Sequence, residues 1–211
     1  MKKISVSILV IVFSFAINSC TNNETHNKAQ LGKETKDGKM PDKNSEKQKM
    51  ASTCMIPVTP EDSAKYISKQ ISVSGDVENA LTLTVDSLKA MNVATIENFT
   101  VVCESGANMK ENQSCKGVLL KDILEKAKII QLNHKDRNFY IVARATDNYK
   151  ATFSWAEIFN NPTGDNVYVI FEENDQAIKA QGEMILICKN DIKTGPRHVY
   201  WLNSIEVNRI D

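Results

Sequence analysis

The sequence has few of the residues from which metal and nucleotide sites are usually built. It contains only three histidines in 211 residues, and no two of them stand at the spacing of zinc ligands. It has no glycine-rich phosphate loop, no nucleophile-elbow motif and no metalloprotease helix. Lysine plus arginine and aspartate plus glutamate number 26 each, so the formal net charge is zero. Composition therefore argues against a nucleic-acid partner.

The chain also lacks internal repeats and short cysteine motifs. No period of 20–50 residues recurs, which excludes a solenoid or propeller array. There is no Cys-x-x-Cys pair and no haem attachment motif, so thiol redox catalysis ranks last among the hypotheses and any electron transfer would need a separate partner.

The first twenty residues have the pattern of an export signal. Lys2 and Lys3 form a short positive region, and the apolar run 5–16 that follows is too short to span a bilayer as a stable helix. The approach to Cys20 resembles the lipobox of bacterial lipoproteins. We predict a signal peptide over 1–19, lipid attachment such as palmitate at Cys20, and a membrane-anchored place in the bacterial cell envelope outside the cytoplasm. The alternative is an ordinary secretory peptide that leaves Cys20 as a spare thiol.

A polar segment follows the predicted anchor. Residues 21–50 contain seven lysines, five acidic residues and four asparagines, and almost no large apolar side chain. Such a composition cannot bury enough surface to offset the entropy of ordering, so residues 20–50 are predicted to be a disordered tether.

The remainder, 51–211, is predicted to form a single α+β domain with a mostly antiparallel or mixed β-sheet and a few short helices. Apolar and polar residues alternate over 71–75 and again over 81–85, which is typical of paired strands. Further strands are predicted over 99–103, 138–144, 167–171, 184–188 and 198–207. Residues 104–114 are predicted to be a polar loop.

Helices are predicted at three places. Asp86 is expected to cap a short helix through Met91. Leu120, Ile123, Leu124 and Ala127 fall at helical spacing and define one apolar stripe. A short helix is also expected near 154–159, before Asn161 and Pro162.

Local motifs along almost the whole predicted domain resemble one known family. In chain order they are Ser-Gly-Asp-Val at 74–77, Leu-Thr-Leu-Thr-Val-Asp-Ser-Leu-Lys-Ala-Met at 81–91, a strand ending in Cys103, Gly-Val-Leu-Leu-Lys-Asp-Ile-Leu at 117–124, Asp-Asn-Tyr at 147–149 and Gly-Pro-Arg-His-Val-Tyr-Trp-Leu-Asn-Ser-Ile-Glu-Val at 195–207. This series resembles the molybdopterin-binding domain of the sulfite oxidase type.

The resemblance implies a molybdenum cofactor and a set of ligands for it. Cys103 stands where the family supplies a thiolate to molybdenum, and Lys116, Arg144 and Arg197 are the expected cofactor-binding anion contacts, with the neighbouring His198 as a further candidate. The implied activity is a molybdopterin-dependent oxidoreductase acting on a small oxyanion.

Departures from the family pattern favour a second hypothesis. Cys103 is followed by the acidic Glu104, and the long N-terminal portion of the full enzymes is missing. The signal peptide carries Lys2 and Lys3 in place of a twin arginine, which indicates export as an unfolded chain. The alternative function is a cofactor-free module that kept the fold and binds a small anionic ligand or an envelope partner protein, with Cys103 in a structural disulfide.

Four cysteines remain after Cys20, and they allow three complete pairings. Cys103 and Cys115 flank the predicted loop, so a bond between them is one candidate pairing. Cys54 is placed to join the leading segment to the domain body, and Cys188 is expected to be a buried apolar residue.

Overall fold

The structure, a computed structural model, describes Glu61 and residues 64–210. The predicted signal peptide, Cys20, the tether and Cys54 lie outside the described residues, so these four predictions and the domain boundary at 51 stay predictions. Within the described part of the chain, no helix is both long enough and apolar enough to cross a lipid bilayer.

Ten strands and three short α-helices make up the described domain. The strands are β1 Ile71–Gly75, β2 Leu81–Leu83, β3 Val93–Val102, β4 Asn108–Leu119, β5 Phe139–Ala145, β6 Lys150–Ser154, β7 Val167–Glu173, β8 Gln176–Ala177, β9 Ile185–Cys188 and β10 Leu202–Arg209. The helices are α1 Val85–Lys89, α2 Leu120–Ala127 and α3 Trp155–Phe159, and two 3-10 turns occupy Pro162–Asn166 and Gly195–Arg197. The predicted α+β class is confirmed.

The first sheet has the strand order β2-β1-β10-β5-β6. Its pairings are antiparallel except that between β1 and β10, which run parallel with Ser72 opposite Ser204. The second sheet has the order β3-β4-β7-β8, with β9 added beside β7, and all of its pairings are antiparallel. The prediction of mostly antiparallel pairing is therefore confirmed.

The core fills the space between the sheets and under α2. The apolar stripe of α2 is fully buried, as its spacing predicts, with Ile123 and Leu124 at 0% exposure. A second and smaller cluster, which includes Ile96, Phe99 and Cys115, is formed by residues of β3, β4, β7 and β9 in the second sheet together with Ile178. Phe99 belongs to the part of β3 that leads to the candidate site.

The predicted loop at 104–114 is mostly strand. Only residues 103–107 form the turn, and β4 already begins at Asn108. The hairpin is longer than expected because polar residues of β4 face partners on β7 and its turn. Lys110 bonds Glu173, and the backbone N–H groups of Gln113 and Ser114 donate to the side chain of Asn174. These partners lie about sixty residues later in the sequence, so the polar composition of 108–114 does not by itself predict a strand.

Side-chain caps begin two of the helices. The cap of α1 is Thr84 and not Asp86, since the Thr84 hydroxyl accepts from the backbone N–H of Ser87. At α3, Ser154 and Glu157 form a reciprocal capping box. The helix predicted near 154–159 is confirmed.

Candidate ligand-binding site

A cavity of about 430 Å³ opens where the β3–β4 hairpin meets the segment before β10. Its apolar wall is formed by Val101, Met109, Pro196 and Tyr200. Its polar lining is formed by Cys103, Glu104, Tyr149 and His198, with the backbone of Gly195 between them. The walls are therefore mostly apolar, with a few polar groups that converge on one space, as in many small-molecule sites.

The hairpin turn fixes one side of the cavity. The Cys103 N–H donates to the carbonyl of Ala107 at 2.9 Å, and the Gly106 N–H donates to the carbonyl of Cys103 at 2.8 Å. Gly106 adopts φ +84°, a conformation that glycine takes without a steric penalty. The turn thus places Cys103 and Glu104 at the edge of the cavity.

A buried threonine ties the opposite side to the hairpin. The Thr194 hydroxyl donates to the carbonyl of Thr100 at 2.7 Å and accepts from the N–H of Val102 at 2.8 Å. Gly195 follows, and a Cβ at that position would lie 2.8 Å from the Val102 carbonyl oxygen. Only glycine therefore lets the Gly195–Arg197 turn sit against the end of β3.

Tyr149 closes the outer rim. Asp147 accepts a hydrogen bond from the Tyr149 N–H at 2.9 Å, which shapes the turn before β6. The Tyr149 hydroxyl donates to the carbonyl of Pro196 at 2.8 Å. Burial, with the nearby Asp147 carboxylate, raises the pKa of this hydroxyl, so it stays protonated and acts as a strut for the rim.

His198 is the buried polar group of the cavity wall. Its side chain lies between aromatic rings, stacked on Phe99 at 5.8 Å between centroids and tilted against Tyr200 at 4.4 Å. The residue is only 4% exposed, and neither ring nitrogen has a hydrogen-bond partner within the described structure. A buried donor and acceptor without partners are uncommon and costly, so this ring calls for an explanation.

The protonation state of His198 follows from its surroundings. Burial, together with the charge of Lys110, lowers its pKa to about 3. Lys110 is itself paired with Glu173. The ring is therefore neutral near pH 7, with one nitrogen able to donate and the other able to accept.

The cysteines do not pair as proposed. Cys115 is a free buried thiol on β4, opposite Ile96 and not near the hairpin turn, so the predicted Cys103–Cys115 bond is wrong. Burial, and then the charge of Glu173, raises the Cys115 pKa to about 12, which makes this thiol unreactive. Cys188 is also free and buried, as expected for a small apolar residue. Cys103 is disulfide-bonded.

Arg144 lies on β5 and faces the neighbouring strand. Its Nε and one terminal nitrogen donate to the two carboxylate oxygens of Glu206 on β10, at 2.9 and 2.8 Å. This two-point pair raises the pKa of Arg144 and lowers that of Glu206. Arg144 does not line the cavity.

Arg197 directly precedes His198 but points to the other side of the chain. Its Nε donates to Asp191 at 2.8 Å and a terminal nitrogen donates to Glu157 at 2.9 Å. The guanidinium also lies 4.5 Å from the centroid of the Phe153 ring. The hydrogen bond with Asp191 is the main cause of the raised pKa of Arg197.

Lys116 lies on β4 and pairs with carboxylates of β7 and the turn that follows it. Its Nζ bonds Glu172, and it reaches the Asp175 carboxylate at 3.2 Å. The structure therefore separates the four residues expected around a cofactor. Cys103 lines the cavity, while Lys116, Arg144 and Arg197 each hold carboxylates elsewhere.

The cavity also contains residues that sequence reasoning did not select. Val101, Met109 and Tyr200 form much of its wall. The sequence does give an indication of Tyr200. In the strand predicted over 198–207, His198 and Tyr200 are two residues apart and so would face the same side. No local pattern marks Met109, whose place depends on the unpredicted start of β4.

The family whose model is described as "Oxidoreductase molybdopterin binding domain" matches residues 57–211. The chain belongs to that family. No curated protein matches the sequence.

Among solved structures, the fold is similar to that of the sulfane dehydrogenase SoxCD from Paracoccus pantotrophus, with a TM-score of 0.51 and 17% identity. The match covers 72% of this chain and 40% of that chain. At this identity the likeness concerns the fold alone, and the present chain spans less than half the length of that protein.

The residues at the cavity do not fit a molybdopterin. The cofactor carries an anionic dithiolene and a phosphate, and such groups are normally held by Arg or Lys. Within the described chain, Glu104 is the one charged residue that lines the cavity, and His198 is neutral. The nearby cation Lys110 is paired with Glu173.

Proposed function

We propose that this protein is a cofactor-free binding module that uses the sulfite oxidase-type fold to hold a small molecule in the cavity beside Cys103. The observation that carries the proposal is that Lys116, Arg144 and Arg197, the cations expected to hold the cofactor, are all bound to carboxylates. A cofactor phosphate would have to displace those partners, and each displaced carboxylate would lose its charge-assisted hydrogen bonds.

The sulfur of Cys103 supports the same proposal. A cysteine binds molybdenum as a thiolate, and a disulfide sulfur is not a thiolate. A Cys103 disulfide is typical of a structural role in an oxidising compartment. We propose that this disulfide is kept in the working protein.

We further propose that the domain works in a bacterial cell envelope, attached to a membrane by lipid on Cys20. The support is the sequence of residues 1–20, with its short positive start, apolar run and terminal cysteine. Cys20→Ala is expected to abolish labelling with a palmitate analogue and to release the protein from the membrane fraction. Retention of both label and membrane association would overturn the anchor.

The cofactor-free state is tested by measuring the molybdenum and pterin content of protein purified from native host membranes. Wild-type protein is expected to contain no stoichiometric molybdenum or pterin. Under denaturing and non-reducing conditions, alkylation is expected to modify Cys115 and Cys188 but not Cys103.

The oxidoreductase hypothesis predicts the opposite results. Cys103 lies at the cavity wall, where the family resemblance places a metal ligand, and this is the observation in its favour. Stoichiometric molybdenum that is lost in Cys103→Ser and kept in Cys188→Ser would establish that hypothesis. Cys188 is a matched control because it is also a buried cysteine, outside the cavity lining.

A further inference from the structure

The unpartnered ring of His198 is the strongest indication of what the cavity holds. Its two nitrogens are buried and lack partners within the described structure, whereas Tyr149, Glu104 and Cys103 at the cavity each have a bonding partner. Tyr149 donates to Pro196, Glu104 accepts from Lys193 and Cys103 is disulfide-bonded. The side-chain hydrogen-bonding capacity left for a ligand is therefore that of the imidazole, together with the Tyr200 hydroxyl at the cavity wall.

The walls around this ring select an apolar and flat molecule. Tyr200 and His198 present aromatic surface to the cavity, and Val101 and Met109 add aliphatic surface. Flat aromatic molecules pack well on such surfaces, since rings favour offset-stacked and edge-to-face contacts. Methionine adjusts its shape to irregular ligands and makes favourable contacts with rings.

The charges around the cavity disfavour ionic ligands. An anion would meet Glu104 at the rim and would find no cation within the described lining to receive it. A cation would meet a neutral apolar interior, because the Glu104 carboxylate is exposed and already accepts from Lys193 at 3.1 Å. Burying an unpaired charge there is costly.

We propose that the cavity binds an uncharged aromatic molecule carrying a hydroxyl or similar hydrogen-bonding group, and that this group pairs with the ring of His198. The inference rests on the proposed function, because it requires a cavity without a molybdenum cofactor. It replaces the small anionic ligand expected from the sequence with a neutral one.

Three bicyclic probes of similar shape separate the contributions to binding. They are 2-naphthol, which has a hydroxyl, 2-methylnaphthalene, which has a methyl group instead, and 2-naphthoate, which is an anion. Wild-type protein is expected to bind 2-naphthol about fivefold more tightly than 2-methylnaphthalene, since one neutral hydrogen bond contributes about that factor. Binding of 2-naphthoate is expected to be the weakest of the three.

His198→Phe is the decisive variant, and His134→Phe is its matched control. His134 is exposed in the turn between α2 and β5. The preference for 2-naphthol over 2-methylnaphthalene is expected to disappear in His198→Phe, with 2-methylnaphthalene binding retained, and to persist in His134→Phe. A preference that survives in His198→Phe would overturn the proposed contact.

A measurement on wild-type protein covers the case in which His198→Phe does not fold. The nitrogen-15 resonances of the His198 ring are expected to shift on addition of 2-naphthol and to shift less with 2-methylnaphthalene. Equal shifts, or no binding of any probe, would overturn the inference and would indicate that buried water satisfies the ring. Metal analysis of the same preparation separates the two failures, because bound molybdenum counts against the proposed function itself.

Discussion

The three cations outside the cavity and the imidazole inside it differ in how completely they are hydrogen-bonded. Arg144, Arg197 and Lys116 each hold one or two carboxylates, whereas the ring of His198 holds nothing within the described structure. A paired cation must give up a partner before it can bind an anion. An unpaired buried ring gains from any suitable group that reaches it. In this domain the side chain with spare bonding capacity is thus a better indicator of a site than the side chain with charge.

The largest effect should come from breaking the best-buried cation pair. Arg197→Met leaves the carboxylates of Asp191 and Glu157 without their shared partner. We expect a loss of about 3 kcal/mol in the free energy of unfolding, because a partly buried charge is left uncompensated. Urea denaturation at neutral pH measures it. A loss well below about 1 kcal/mol would show that solvent already satisfies these carboxylates.

The pH dependence of stability tests the burial of His198. The pKa of the folded ring is about 3, below its usual value of 6.5, so the unfolded chain takes up the proton first as pH falls. Stability from this group is therefore present above the unfolded pKa and is lost as pH falls from about 6.5 toward 3.

Between pH 6 and pH 4.5, wild-type protein is expected to lose about 2 kcal/mol more stability than His198→Phe. The subtraction matters because carboxyls whose pKa is lowered by their hydrogen-bond partners, among them Glu157, Asp191 and Glu206, also lose stability as pH falls. Denaturation curves at several pH values measure the difference. Parallel pH profiles for the two proteins would show that the folded ring is not shielded from protonation.

The same variant should behave differently at constant pH. At pH 7.5, His198→Phe removes two buried polar atoms without partners and keeps an aromatic ring beside Phe99 and Tyr200. We expect the free energy of unfolding to rise by about 1 kcal/mol, since replacing an unsatisfied polar group by an apolar one is favourable. His134→Phe should change it by less than about 0.5 kcal/mol. A clear loss in His198→Phe would mean that the ring has bonded partners in solution.

The smallest effect is expected at the more exposed arginine pair. The side chains of Arg144 and Glu206 are 33% and 30% exposed, so water screens their attraction. Arg144→Met should cost less than about 1 kcal/mol despite the two-point geometry. Addition of salt should shrink the difference further. A cost equal to that of Arg197→Met would show that exposure does not separate the two sites.

Regular local patterns predicted much of the fold. The alternation of residues 71–75 and the stripe of Ile123 and Leu124 depend on which side chains face the core, and both appear as expected. The start of β4 was not predictable in this way. Its polar residues are compensated by Glu173 and Asn174 about sixty residues later, and no local pattern contains that information.

In the candidate site, too, local motifs were predictable and contacts between distant residues were not. Cys103 was found because a family motif marks it, and it does line the cavity. The partners of Arg144 and Arg197 are set by strand pairing and by packing around Phe153, so their commitment to carboxylates was invisible in the sequence. The unpartnered state of His198 is likewise a property of three dimensions, because it depends on Phe99 and Tyr200 coming together around the ring.

The parallel pairing of β1 with β10 also has a consequence for how the domain is made. β1 is the first strand of the described domain and lies between β2 and β10, the last strand. Ser72 meets Ser204 only after nearly the whole domain has been synthesised, and contacts so distant in sequence are slow to form. The sheet that buries Ile71 and Val73 therefore cannot be completed before β10 has been synthesised. During synthesis, the first sheet of this domain stays incomplete until its last strand has been made, while the second sheet has all its strands earlier.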